Sequence, residues 1–176
     1  VTSTTPTPAA PASTDPSVLV RRVRADEHEA VGRLRLAAYR HDYEIGDDYA
    51  AQMLDIAAHE EVAEVWVAVD ATTGALLATV TTARPGSNFT PLGRPGELDW
   101  RLLAVDPAAR GRGLGRLLTE FVIELGRSRG VERVVMNSGS DMYAAHHLYD
   151  TLGFVRLPSR ENPPGVEPSR AYGLEL

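Results

Sequence analysis

The sequence predicts a single α/β domain, a mixed sheet flanked by helices, and three observations carry that reading. The stretch from Glu97 to Arg116, E-L-D-W-R-L-L-A-V-D-P-A-A-R-G-R-G-L-G-R, reads as strand, turn, glycine-rich loop and helix start. The helix begun there is followed by a short apolar run, Val131 to Met136, whose place after a helical crossover sets it parallel to the Glu97 strand. Val62 to Val69 and Leu76 to Thr82 flank Thr73-Gly74 and read as a hairpin, so parallel and antiparallel pairing share one sheet. A length of 176 residues, 43% hydrophobic and 24% charged, gives room for one ordinary core.

Val1 to Ser17, rich in Thr, Pro, Ala and Ser, buries too little to offset the entropy of ordering and reads as a disordered lead, so the domain spans Val18 to Leu176. Val18 to Val23 is a short apolar strand. Asp26 is placed to cap a helix running to about Tyr39, and a second helix spans Asp48 to His59 through Met53, Leu54 and Ile56. The segment between them, Tyr39 to Tyr49, is dense in tyrosine and carboxylate and reads as a solvated loop. After the hairpin, Arg84 to Pro95 is longer than a plain turn requires, as functional loops often are.

In the Glu97 strand, Leu98, Trp100, Leu102 and Ala104 alternate with Asp99, Arg101, Leu103 and Val105, and Asp106-Pro107 stops it because proline has no N–H for the ladder. Leu114, Leu117, Leu118, Phe121, Val122 and Leu125 recur at helical spacing, so a helix starts near Gly113 and ends near Arg129, with Gly130 as its cap. A helix N-terminus presents unpaired N–H groups and a partial positive charge, and Gly111, Gly113 and Gly115 let an anion approach bare backbone. Arg110, Arg112 and Arg116 add bidentate donors, a combination suited to a pyrophosphate. Ser140 or Asp141 caps a last helix to about Leu152, Gly153 ends it, and Phe154 to Leu157 and Ala171 to Leu176 supply the final strands, joined by an irregular loop, Ser159 to Ser169.

Arg110-Gly111-Arg112-Gly113-Leu114-Gly115, introduced by L-A-V-D-P, resembles the R/Q-x-x-G-x-G/A acyl-coenzyme A signature of the GCN5-related N-acetyltransferase superfamily. Ala145 to Phe154, A-H-H-L-Y-D-T-L-G-F, resembles that family's closing A-x-x-L-Y-x-x-L-G-F segment. The resemblance covers Val18 to Leu176, with specific motifs from Asp99 to Phe154. Competing phosphate loops fit worse: a Walker loop needs a lysine, of which the chain has none, and a dinucleotide fingerprint needs G-x-G-x-x-G where these glycines run G-x-G-x-G.

The resemblance implies a partly splayed sheet in which the backbone of Leu103, Ala104 and Val105 pairs with pantetheine amides, while Arg110, Gly111, Arg112, Gly113, Leu114, Gly115 and Arg116 hold the pyrophosphate of acetyl-CoA. It implies transfer of an acetyl group to a primary amine of a small molecule or peptide, directly in a ternary complex. Tyr149 matches the family's usual general acid, although the same position suits a core tyrosine beside Leu148 and Leu152. Asp99, six residues before Val105, falls where relatives often place a glutamate as base; a charged strand end paired with an arginine is its other reading, and Glu97 is the reserve candidate. Where many relatives carry an asparagine that touches the cofactor, this chain has Met142. A catalytically idle acyl-coenzyme A sensor is the alternative. Similar proteins are commonly dimers.

Composition narrows the field further. No apolar run approaches the length of a spanning helix and no signal-peptide pattern opens the chain, so a cytoplasmic protein is expected. Zero cysteines exclude disulfides, thiolate nucleophiles and sulfur-ligated zinc. A net charge of −6 argues against non-specific nucleic-acid binding. No histidine pair has i, i+4 spacing with carboxylates nearby, so no metal is expected, and His146, one turn before Tyr149, reads as an exposed histidine rather than one edging a pocket.

Overall fold

A computed structural model describes residues 16–162 and 167–176. The lead expected to be disordered lies almost wholly outside the described residues, and so does part of the loop before the last strand. The strands are β1 (Val18–Arg22), β2 (Ala63–Asp70), β3 (Leu76–Ala83), β4 (Glu97–Val105), β5 (Arg133–Gly139), β6 (Val155–Arg156) and β7 (Ser169–Glu175). The helices are α1 (His28–Asp42), α2 (Asp47–Leu54), α3 (Ile56–Val62), α4 (Leu114–Ser128) and α5 (Tyr143–Thr151). The strands form one sheet in the order β1-β2-β3-β4-β5-β7-β6, antiparallel except for β4 and β5.

The strand alternation sends each face to its own helices. Trp66, Val80, Leu98 and Trp100 pack with Leu118, Phe121 and Leu125 of α4 in the larger core, which Tyr149 and Phe154 join. On the opposite face Val65, Val67 and Val69 meet Val31 of α1 and Ile56 of α3. Each fully buried aliphatic or aromatic side chain in these layers is worth about 1.5–3 kcal/mol.

Several boundaries differ from expectation, among them β5, which runs over Arg133–Gly139 where Val131 to Met136 was expected. The continuous helix expected over Asp48 to His59 is two helices, because Asp55 leaves helical geometry (φ −86°, ψ 74°) and its carboxylate accepts from the Ala58 N–H at 3.0 Å, capping α3. The first helix is not capped by Asp26; a 3-10 turn, Ala25–Glu27, precedes α1, and the Glu27 carboxylate accepts from the Arg24 N–H. Neither Ser140 nor Asp141 caps the last helix, whose N-cap is Met142 without a side-chain bond. The hairpin and the extent of α4 agree with the periodicity, and Gly130 takes the expected left-handed conformation, φ 66°.

Candidate active site

The site opens where the sheet comes apart. β4 and β5 pair only at Glu97↔Arg133, Leu98↔Val134 and Asp99↔Val135, and no further register pairs join them. A bulge then inserts Leu102 and Leu103 opposite the single residue Val80 of β3. Leu102 takes φ 58°, a rare backbone angle for a branched side chain, which marks the bend. Beyond the bulge Ala104 and Val105 keep their β3 partners, Thr79 and Ala78, on one edge. The other edge faces a cleft of about 1140 Å³ lined by Leu103, Ala104 and Val105. An unpaired strand edge is a template for an extended chain carrying amides.

The glycine loop closes one end of this cleft. Gly111 and Gly113 hold φ 79° and 73°, and a side chain at either would point into open space beside the start of α4. No side chain caps α4, so its first N–H groups remain available to an anion. Gly115 lies 3.7 Å, measured from an ideal Cβ, from Leu148, which brings the cradle against α5. These features fit a pyrophosphate held by backbone. The arginines are placed less directly. Arg110 lines the cleft, but its guanidinium donates in bidentate fashion to Asp42 at 3.0 and 2.7 Å, and that contact first of all holds the Asp42 carboxyl down at about 2. Arg116 donates to Glu120 and Thr151 outside the cleft, and Arg112 lies within electrostatic reach of Asp70. Leu114 and Gly115 line the cleft as expected.

Tyr149 lies on the cleft wall, 3% exposed, with its ring against Trp100, Phe154 and Tyr172. Burial raises its pKa well above the ordinary phenol range, so the hydroxyl stays protonated; among the described residues it has no hydrogen-bond partner. Two further buried polar atoms without partners, Trp100 Nε1 and Ser138 Oγ, belong to residues of the same cleft.

The expected base sits differently. Asp99 is fully buried, does not line the cleft, and accepts from the N–H groups of Phe89 and Thr90 at 2.9 and 2.6 Å, pinning the long loop before β4. Glu97 accepts from Arg160 at 2.6 and 2.8 Å and from Arg133 at 3.3 Å. Burial works against its charged form, but these guanidiniums outweigh it and hold the carboxyl below its usual range. Both carboxylates therefore hold structure together outside the cleft. His146, expected to be exposed, is buried at 4%; one ring nitrogen faces the Gly139 carbonyl at 3.0 Å and the other Arg170 at 3.3 Å.

Sequence reasoning missed a pair of cations on the α1 face. Arg35 is fully buried, and among the described residues its side chain makes one hydrogen bond, from Nη2 to Thr81 Oγ1 at 2.9 Å, with no partner there for Nε or Nη1. Arg101 stands directly across from Thr81 in the β3–β4 register and lines the cleft. The spacing Val31, Arg35, Ala38, a cation on the apolar face of a helix, is the signal that could have found the first of them.

A sheet split beside a glycine-rich helix start, with a phenol on the wall of the split, defines a mixed α/β domain in which an open strand edge and an uncapped helix start share one cleft. The family model of the acetyltransferase (GNAT) family matches residues 21–154. The chain belongs to that family. A mycothiol acetyltransferase of Cellulomonas flavigena is 34% identical over 172 residues, covering 92% of this chain and 47% of that protein. Its counterpart from a Nocardioides species is 33% identical over 156 residues, covering 78% of this chain and 50% of its own length. The chain thus spans about half the length of the curated relatives it matches. Among solved structures, the ribosomal-protein-S18-alanine N-acetyltransferase of Escherichia coli superposes with a TM-score of 0.66 at 20% identity over 90% of this chain and 93% of that one. A Salmonella typhimurium protein solved with its cofactor acetyl-CoA gives 0.62 at 19% identity, covering 91% and 94%. No helix among the described residues is long and apolar enough to cross a membrane.

Proposed function

We propose that this chain transfers an acetyl group from acetyl-CoA to a primary amine in a ternary complex, with Tyr149 as the general acid. The observation that carries the reading is the Tyr149 hydroxyl, protonated and without a partner among the described residues, on the wall of a cleft bounded by the open β4 edge and the uncapped start of α4. The residues for the cofactor are Leu103, Ala104 and Val105 through their backbone edge and Gly111, Gly113, Leu114 and Gly115 through the cradle, with Arg110 at its border. Acetyl-CoA, when bound, supplies an acetyl thioester whose C–S bond breaks as the amine forms its C–N bond. Tyr149 holds the proton that a leaving thiolate requires. Asp99 and Glu97 are assigned to holding the loop and the strand start, because their oxygens are occupied by N–H groups. The proton of the incoming ammonium leaves through water in the open cleft. The names of the relatives support a small-molecule or peptide amine as acceptor, and we place the reaction in the cytoplasm.

A second reading, an acyl-coenzyme A sensor without turnover, is favoured by the same commitment of Asp99 and Glu97, which leaves neither as a base in the cleft. Thiol release from acetyl-CoA, followed against small amines and peptides with a calorimetric check of cofactor binding, separates them. Release above an amine-free blank supports transfer; tight binding without release supports the sensor; absent binding overturns both.

A further inference from the structure

Arginine is costly to bury without a counter-charge, and this chain buries one and points another at the cleft beside it. Arg35 reaches from α1 to Thr81 with two nitrogens unpartnered. Arg101 projects from β4 on the same face, because residues paired across an antiparallel register share a face. Among the described residues the Arg101 side chain makes no ion pair or hydrogen bond. The bulge at Leu102 and Leu103 keeps Arg101 and Ala104 on one side of the strand, so Arg101 stands just past the last β4–β5 pair.

Among the described residues the surroundings supply no internal anion to neutralise the two. Asp99 lies two residues before Arg101 on the same face, yet its oxygens accept from the Phe89 and Thr90 N–H groups. Tyr39 and Tyr49 pack edge to face with ring centroids 6.5 Å apart and interact electrostatically with Arg35. Burial raises the Tyr39 phenol, so it stays neutral. His59 also feels both arginines; burial foremost, then Arg35, depresses its pKa and keeps its ring neutral. Glu44, Asp47 and Asp48 line the cleft at its exposed rim, where an ammonium would meet them. Burial pushes the Arg35 guanidinium down to about 10, so it is still a cation at neutral pH. The wall therefore presents a positive niche inside and a negative rim outside.

We infer that the acceptor is an amino carboxylate, a small molecule carrying a free carboxylate alongside its primary amine, with the carboxylate seated on Arg101 and Arg35 reinforcing the positive potential from behind. Such a ligand supplies the missing counter-charge and uses the planar, bidentate donors of a guanidinium. The inference rests on the acetyl-transfer reading and adds the acceptor class to it.

The test is thiol release from acetyl-CoA with the free L-amino acids, each paired with its carboxamide, beside a third arm of polyamines and a peptide N-terminus. The expected result is turnover of at least one amino acid with kcat/KM on the order of tenfold to a hundredfold above its carboxamide, the range of a hydrogen bond to a charged group. In Arg101→Gln that preference should vanish through a rise in KM, with acetyl-CoA affinity by calorimetry unchanged, and Arg101→Lys should restore part of it. Arg101 is half-buried on the cleft wall and Arg35 fully buried, so each variant is read only if its melting curve is cooperative. Equal use of acid and carboxamide, a preference that survives in Arg101→Gln, or release only in the third arm would overturn the inference while leaving acetyl transfer intact. Absent acetyl-CoA binding would overturn the transfer reading itself.

Discussion

Tyr149 stands edge-on to Trp100, ring centroids 5.8 Å apart and planes at 85°, so the last helix fixes its phenol against the strand that borders the open seam. The contact ties the proposed acid to β4 at the residue that follows the last β4–β5 pair. Tyr149→Phe keeps the ring and removes only the hydroxyl. Its kcat should fall on the order of a hundredfold or more, the usual contribution of a general acid, with cofactor affinity little changed. Steady-state thiol release and calorimetry on the same preparation check this; unchanged turnover would remove Tyr149 from the chemistry.

Gly113 holds φ 73° with open space where a side chain would go. Gly113→Val should cost about 1–3 kcal/mol of stability through left-handed strain, and place a side chain in the anion cradle. We expect a folded protein with a lower melting temperature and no measurable acetyl-CoA binding. Normal binding by the folded variant would move the phosphate site elsewhere.

Asp99→Asn tests holding against proton abstraction. An amide offers one acceptor where the carboxylate offers two, so one of the Phe89 and Thr90 N–H groups loses its partner, at a cost of about 1–3 kcal/mol. The expected signature is faster proteolysis between Arg84 and Pro95 with the pH profile of kcat retained. A profile that loses its acidic limb instead would restore Asp99 as the base.

Glu27 gives the fold a handle on acid stability. The bidentate bond from Arg21 first, then the Arg24 N–H, overcome burial and hold its carboxyl down at about 2, against an ordinary 4.5. A carboxyl depressed in the folded state contributes fully above its unfolded pKa and loses that contribution as pH falls through the folded value. Urea midpoints should therefore drop between about pH 4.5 and pH 2, and Glu27→Gln should flatten this part of the profile.

Gly32 on α1 lets α2 approach so closely that an added Cβ would sit 2.7 Å from the Leu54 carbonyl oxygen. Gly32→Ala should destabilise by about 1–3 kcal/mol, because backbone has to move, and should shift the α1–α2 wall of the cleft. Thermal melts report the first effect and the KM for the acceptor the second.

The hairpin, the Glu97 strand, its proline stop and the helix from Leu114 were legible because period, turn residues and glycines agree there. The break at Asp55 was not, since apolar positions run on through it and only the local cap interrupts the backbone. The bulge at Leu102 carries no glycine or other local signal. Asp99 and His146 show the same limit from the site's side: the residue type suggested chemistry or exposure, while long-range packing gave one to a loop and buried the other. Arg35 was hidden by the opposite assumption, that a cation in a helix faces water.

The three-pair border between β4 and β5 also has a meaning for synthesis. Strands β1 to β4 precede β5 in the chain and emerge from the ribosome before it does, so an antiparallel sheet can assemble early with the whole outer edge of β4 bare. Such an edge invites pairing with other chains until it is covered. When α4 and β5 arrive they shield only its first three residues, so most of the edge left open in the finished molecule is a hazard of the nascent one.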